Sequence, residues 1–346
     1  MKYSIIVPVF NRPDEVEELL ESLTTQTMND FEVVVAEDGS QKPCEHICKK
    51  YESRLSLKYF MKPNSGPGQS RNYGAERADG QYLLILDSDV MLPPTYLEEI
   101  EKELKRQPAD AFGGPDATHP SFTPMQKAIG YTMTSFFTTG GIRGGKKKLD
   151  KFFPRSFNMG IRRDIYQQLG GFSKMRFGED IDFSYRIVEA GCQTRLFPKA
   201  WVWHKRRTDL KKFFRQVYNS GIARINLTLR HPGTLKAVHL LPAVFTIGVC
   251  ALVVISAVGR AMMHFDADNA TCWKWVFLLP WAPILLYALL IFTDAARHNG
   301  LGVAVRSVPA AFTQLMGYGF GFLEAWWKRI VRHQDEFTAF EKNFYK

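Results

Sequence analysis

A chain of 346 residues, 45% of them hydrophobic, is too long for one ordinary domain and long enough to bury a full core. Its formal net charge of +10 admits two kinds of partner, nucleic acid or an anionic membrane surface. Placement excludes nucleic acid: Lys205, Arg206, Arg207, Lys211, Lys212, Arg215, Arg224 and Arg230, against Asp209 alone, crowd the stretch ahead of the first long apolar segment, where basic residues favour the cytoplasmic side.

Lys2 to Val9 reads as a strand, a short β-branched run stopped by Pro8 and by Asn11-Arg12-Pro13. Its Ile5-Ile6-Val7 core is too short and too soon interrupted for a signal peptide. A helix opens at Asp14, with Val16, Leu19, Leu20 and Leu23 at helical spacing and Asp14, Glu15, Glu17 and Glu18 suiting its N-terminal half. Phe31 to Ala36 is a second strand, and the unbroken Val33-Val34-Val35 predicts burial on both faces. Leu57 to Met61 reads as a third strand, Gln69 to Ala78 as a helix, Tyr82 to Leu86 as an apolar strand and Pro94 to Arg106 as a helix. This alternation predicts an α/β fold on a mostly parallel sheet. From Ala109 to about Phe153 the pattern weakens. The glycines and lysines of 140–148 read equally as a surface connection and as an active-site flap. Asp180 to Ala190 is a helix ended by Gly191.

Leu210 to Thr228 carries Phe213, Phe214, Val217, Ile222, Ile225 and Leu229 among basic residues, the pattern of an amphipathic helix in a membrane interface. Leu240 to Val258 has no charge and is long enough to span the roughly 30 Å hydrocarbon core. Trp275 to Thr293 does the same, with Trp273 and Trp275 as interfacial anchors. Ser307 to Leu323 is shorter, rich in Gly and Ala, and bracketed by Arg306 and Glu324; it fits a third span or a re-entrant or in-plane helix. The expected division is an α/β domain over 1–208, an interfacial linker over 209–236, an α-helical membrane region over 237–330 and a tail over 331–346. Cys44, Cys48, Cys192, Cys250 and Cys272 are odd in number and lack zinc-site spacing, so they read as free thiols in a reducing compartment.

The chemistry gathers at strand ends. Asp87-Ser88-Asp89 directly follows the strand Tyr82 to Leu86. Ligands of a parallel sheet sit beyond the carboxyl ends of its strands, so these two carboxylates face a common crevice. Their oxygens suit Mg²⁺ or Mn²⁺, which bridges diphosphate oxygens. Alone the motif is weak, because Asp is common in turns. Ala36-Glu37-Asp38-Gly39-Ser40 stands at another strand end, where Asp38 can accept a hydrogen bond from a base or ribose; an ordinary turn reads the same way. Asn64-Ser65-Gly66-Pro67-Gly68-Gln69-Ser70-Arg71-Asn72 leads into a helix but is neither GxGxxG nor a P-loop, so neither dinucleotide binding nor ATP hydrolysis is indicated. Arg71 there suits a nucleotide contact or a plain surface position. Glu179, Asp180 and Asp182 cluster at a helix start, as dipole preference favours and as a general base for a sugar hydroxyl requires. His204, in Trp201-Val202-Trp203-His204, reads as structural or as an extra Mn²⁺ ligand.

Ser4-Ile5-Ile6-Val7-Pro8-Val9-Phe10-Asn11, Glu37-Asp38-Gly39-Ser40, Ser70-Arg71-Asn72, Leu86-Asp87-Ser88-Asp89, Leu169-Gly170-Gly171-Phe172 and Gly178-Glu179-Asp180 follow one another in the order of a known family. Over about residues 2–207 the chain resembles glycosyltransferase family 2, whose catalytic fold is called GT-A. The resemblance implies a GT-A-like domain in which Pro8, Phe10, Asn11 and Asp38 line the nucleoside pocket and Arg71 contacts the base. Asp87, with Ser88 beside it, would approach the ribose and the metal shell. Asp89 would bind Mn²⁺ or Mg²⁺, and His204 would complete that site. Asp180 would be the catalytic base, supported by Glu179 and Asp182. Glu37 stands where the family often has a second Asp. No Gln-x-x-Arg-Trp follows Asp180, so transfer of a single sugar is expected over polymerisation. The whole is then an inverting, metal-dependent transferase in a multi-pass membrane protein with its catalytic domain in the cytoplasm. It would use a nucleotide-diphosphate sugar donor and a lipid-linked saccharide or membrane lipid acceptor, in envelope or exopolysaccharide synthesis. The alternatives are a processive synthase and a non-catalytic nucleotide-sugar-binding scaffold.

Overall fold

The structure, a computed structural model, describes residues 1–140 and 152–341. In chain order its elements are β1 (Tyr3–Val9), α1 (Pro13–Thr24), β2 (Phe31–Asp38), α2 (Glu45–Tyr51), β3 (Leu57–Lys62), α3 (Pro67–Ala75), β4 (Tyr82–Leu86), β5 (Val90–Met91), α4 (Tyr96–Arg106), β6 (Ala111–Gly113), β7 (Asp116–Ala117), α5 (Pro124–Thr134) and α6 (Phe136–Thr139). They continue with β8 (Asn158–Arg162), α7 (Arg163–Gln168), α8 (Glu179–Glu189), β9 (Thr194–Leu196), β10 (Val202–His204), α9 (Leu210–Arg230), α10 (Ala237–Phe265), α11 (Ala270–Leu278), α12 (Ala282–Asn299), α13 (Leu301–Trp326) and α14 (Glu336–Ala339). Two compact units result. Among the described residues, one takes 1–120, 152–205 and 340–341; the other takes 121–140 and 206–339.

The first unit is an α/β domain on a seven-stranded sheet of order β3-β2-β1-β4-β8-β6-β9. β3, β2, β1 and β4 run parallel; β8 enters antiparallel between β4 and β6. β1 is paired on both edges, and its Ile5, Ile6 and Val7 are fully buried, which is why the run contains no alternation. The α1 stripe Val16, Leu19, Leu20 and Leu23 is buried as its spacing required. The sheet is therefore mixed but mostly parallel, as expected. The weakly patterned stretch after Ala109 holds β6, β7 and α5, and β8 lies just beyond it. β6 and β7 have only three and two residues, and β8 mixes Asn, Gly and Arg with its apolar residues, so none offers the unbroken apolar run that made β4 readable. The helix α2 was also missed, because seven residues give barely two turns of pattern. Beyond Gly140, the flap considered at 140–148 lies outside the described residues. A second sheet, β5-β10-β7, is small but sets the site: its register places His204 opposite Val90.

The second unit is helical. The chain passes between units at 205, against the expected 208, and the described residues 121–140 lie in this unit. The reason is apolar packing: Ile129 and Met133 of α5 cluster with Phe213 and Val217 of α9 and Ala310 of α13. The apolar stripe of α9, read as a membrane-interface face, is thus covered largely by protein. Phe213, Val217, Ile222 and Ile225 are buried, while Phe214 and Leu229 stay exposed. α9 and α13 touch backbone to backbone. A Cβ on Gly321 would lie 2.0 Å from the Tyr218 carbonyl oxygen, and one on Gly221 2.2 Å from that of Tyr318. Two helical stretches, Ala237–Phe265 and Thr271–Asn299, are long and apolar enough to cross a membrane, and only 17% and 6% of their most apolar windows are buried. The possible third span lies within α13, which carries Arg306 and Glu324 and packs along α9, α10, α12 and α5.

Candidate active site

The order β3-β2-β1-β4 reverses direction between β1 and β4, and at such a switch point the loops diverge and open a crevice outside the strands' carboxyl ends. Every loop at that edge carries residues singled out above. Half-buried Pro8 lies near the end of β1, and exposed Phe10 and half-buried Asn11 follow the strand. Asn11 adopts φ 55°, which Asn tolerates better than most residues. Its Oδ1 accepts from the backbone N–H of Gln41 at 2.8 Å and of Lys42 at 3.0 Å, and its own N–H donates to Ser40 Oγ at 2.7 Å. Ser40 in turn donates to buried Glu37, whose other oxygen accepts from Cys44 N–H at 2.7 Å and from the Tyr59 hydroxyl at 3.2 Å. Glu37 thus holds the loops after β1 and β2 in register.

Asp38 is buried, with both oxygens engaged. Oδ1 pairs with Lys62 and accepts from Ser65 N–H at 2.9 Å; Oδ2 accepts from Gly66 N–H at 2.8 Å. These bonds tie the loop ahead of α3 to the end of β2. Gly39 allows the approach, with φ 68° and no room for a Cβ, which would sit 2.8 Å from Asn64 N.

Arg71 is buried, not at the surface. Its Nη2 donates to Asp87 Oδ1 at 2.8 Å and its Nη1 to Glu179 Oε1 at 2.9 Å, so it joins the loop after β4 to the start of α8. Ser88 is buried between the two aspartates in sequence. The Asp89 carbonyl accepts from Lys205 N–H at 3.0 Å, which with the β5–β10 register brings His204 alongside. His204 Nε2 lies 3.2 Å from Asp89 Oδ1, and Arg12 pairs with the other oxygen. Asp87, Asp89 and His204 each offer a ligand atom within 4.8 Å of the others. Two carboxylates and an imidazole fit Mn²⁺ well and Mg²⁺ less well, since Mg²⁺ prefers oxygen throughout. Phe157 stacks on the His204 ring at 5.1 Å and fixes its plane; Nδ1 is buried without a hydrogen-bond partner among the described residues.

The acids at α8 separate into three environments. Asp182 turns to Ser173 Oγ at 2.7 Å and Arg186 Nε at 3.1 Å. Arg186 donates on to the carbonyls of Leu169 and Gly171, so this pair braces the Leu169–Phe172 turn rather than joining the other acids. Asn72 holds the same turn through both Phe172 backbone groups. Glu179 is buried; burial pushes its carboxyl up and the neighbouring Asp180 charge adds to this, against the pull of Arg71. Burial alone would raise Asp180 too, but the charge of Arg155, with Nε 2.7 Å from Oδ2, holds that carboxyl below the usual carboxylate range. Sequence reasoning missed Arg12, Lys62, Arg155 and Phe157. Arg12 borders the first motif and Lys62 ends a strand, which are faint signals; Arg155 and Phe157 lie where the pattern carried none.

The α/β domain thus carries a switch-point crevice ringed by clustered acids, a buried arginine and a histidine, in a GT-A-like fold. Residues 4–170 match the family model of glycosyl transferase family 2. The chain is 34% identical over 137 residues to an uncharacterized glycosyltransferase of Rickettsia felis, covering 40% of this chain and 22% of that protein. It is 30% identical over 189 residues to an uncharacterized glycosyltransferase of Haemophilus influenzae, covering 54% of this chain and 62% of that one. The chain thus spans less than two thirds of either relative. A mannosyltransferase from Pyrobaculum calidifontis, solved in complex with GDP-Man and Mn²⁺, shares the fold with a TM-score of 0.57 at 15% identity, over 95% of this chain and 88% of that one.

Proposed function

We propose that the chain is an inverting glycosyltransferase that moves one sugar from a nucleotide-diphosphate sugar to a lipid-linked glycan or membrane lipid, in envelope or exopolysaccharide synthesis. The observation that carries this is the Asp87, Asp89 and His204 cluster at the crevice, joined through Arg71 to the start of α8, where Asp180 stands. Phe10 and Asn11 line the nucleoside side, with Asp38 and Arg71 supporting the loops that enclose it. Asp87, Asp89 and His204 would hold Mn²⁺ or Mg²⁺, which when bound neutralises charge on the leaving diphosphate. Asp180, an acceptor-only carboxylate, takes the proton of the acceptor hydroxyl. That oxygen bonds to the anomeric carbon as the bond to the diphosphate oxygen breaks on the opposite face. One displacement inverts the centre, and no carboxylate nucleophile is needed.

Support for a membrane acceptor comes from the two long apolar helices and their open surfaces. The cationic stretch Lys205 to Arg230 suits an anionic cytoplasmic leaflet. A tethered acceptor gains effective concentration that a free sugar lacks.

The site reading is tested by a thermal-shift screen of nucleotide sugars on the full chain in detergent, with and without Mn²⁺. A ligand that binds only the native state raises the midpoint by mass action. One donor class should shift the wild type only with metal, and Asp89→Ala should abolish the shift. An Asp89→Ala protein that still shows the full metal-dependent shift overturns the assignment.

A further inference from the structure

Arg12 stands across the switch-point crevice from the metal-type cluster: it follows β1, while Asp87 and Asp89 follow β4. Its Nη1 takes Asp89 Oδ2, and Asp89 Oδ1 faces His204 Nε2 at 3.2 Å. Both oxygens of the carboxylate best placed to bind a metal therefore already face a nitrogen. The Asp89 side chain is 8% exposed and that of Arg12 31%, so the carboxylate is fixed in the wall and the guanidinium has the open side. Asp87 and Glu15 also act electrostatically on Arg12, which places the guanidinium in the field of both cluster carboxylates.

A buried carboxylate needs a compensating charge, and here a monovalent cation supplies it. A divalent ion among Asp87, Asp89 and His204 would meet that guanidinium a few ångströms away, where like charges repel strongly in a partly desolvated crevice. The conflict ends if the guanidinium finds another anion. The planar fork of Arg matches phosphate oxygens, and the group that a divalent ion would bring to this crevice is a diphosphate.

We propose that Arg12 and the metal exchange on Asp89: Arg12 closes the carboxylate in the donor-free protein and transfers to the phosphates of a nucleoside diphosphate when metal and donor enter together. This rests on the metal-site reading above and adds a role for a residue outside its motifs. It makes metal and diphosphate binding cooperative, and such coupling is reciprocal. The metal alone binds weakly, the nucleoside diphosphate alone binds weakly, and each tightens the other.

The test is Mn²⁺ binding to the full chain in detergent, read from the electron paramagnetic resonance signal of free Mn²⁺, alone and with UDP or GDP. Wild-type protein should bind Mn²⁺ weakly alone and on the order of tenfold more tightly with the matching diphosphate, within the usual range of such couplings. Arg12→Gln should bind Mn²⁺ alone more tightly than wild type by a similar factor, and the diphosphate should tighten it much less. Arg12→Lys, which keeps the charge, should resemble wild type with Mn²⁺ alone. Asp89-dependent Mn²⁺ binding of equal affinity in wild type and Arg12→Gln overturns the exchange and leaves the site standing. Mn²⁺ binding that Asp89→Ala does not alter overturns the site and the exchange together.

Discussion

Asp180 and Glu179 are neighbours in sequence whose surroundings pull their acidities apart. The buried Glu179 carboxyl is pushed up; Asp180, beside Arg155, is pulled down. Divergent acidities among adjacent carboxyls commonly mark different roles. A depressed Asp180 stays ionised, and so able to accept a proton, to lower pH than an ordinary Asp. Asp180→Asn should lower turnover by roughly the 10²–10⁴-fold typical of general-base loss while the donor thermal shift stays near wild type. Arg155→Gln removes the opposing cation, leaving burial to raise the Asp180 pKa. The acid limb of its kcat/KM profile should move to higher pH than in wild type. An unmoved limb, or full activity in Asp180→Asn, places the base elsewhere. At this scale the sequence singled out Asp87, Asp89 and His204 by residue type, and the fold brings the three together. The sequence was mute about partners supplied by distant loops. Arg12 meets Asp89 across 77 positions and Arg155 meets Asp180 across 25, and no local spacing announces either contact.

Among the elements, long apolar strands and helices were legible and short ones were not. Within the parallel core, β1, β2 and β4 were readable because each carries an apolar run bounded by turn residues. For α9 the periodicity announced an apolar stripe without saying whether lipid or protein covers it. The small residues that let α13 do so, Gly317 and Gly321, lie about a hundred positions downstream. This contact predicts that Gly321→Val, which thrusts a branched side chain at the Tyr218 backbone, destabilises the helical unit by about 1–3 kcal/mol or more through overpacking. Gly248→Ala, with nothing within 4 Å of its Cβ, should be neutral. Detergent melting curves of the two variants check this, and equal midpoints would show that α9 and α13 do not pack this way.

For the whole molecule, the division into units follows packing rather than chain order, since residues 121–140 fold with helices that begin after Lys205. A truncation ahead of α10 would remove α13 and strip the buried face of α9, so the acceptor question calls for the intact chain. The account's central claim is metal-dependent sugar transfer to a membrane acceptor from the cytoplasmic side. It is tested most directly by incorporation of labelled sugar into the lipid phase of sealed inside-out vesicles bearing the full chain. A panel of nucleotide-diphosphate sugars and Mn²⁺ would be added from outside. The account predicts incorporation from one donor class by wild-type vesicles, loss with chelator, with Asp89→Ala and with Asp180→Asn, and none from sealed right-side-out vesicles until they are permeabilised. Equal incorporation by wild type and both variants, or none above empty vesicles from any donor, would contradict it.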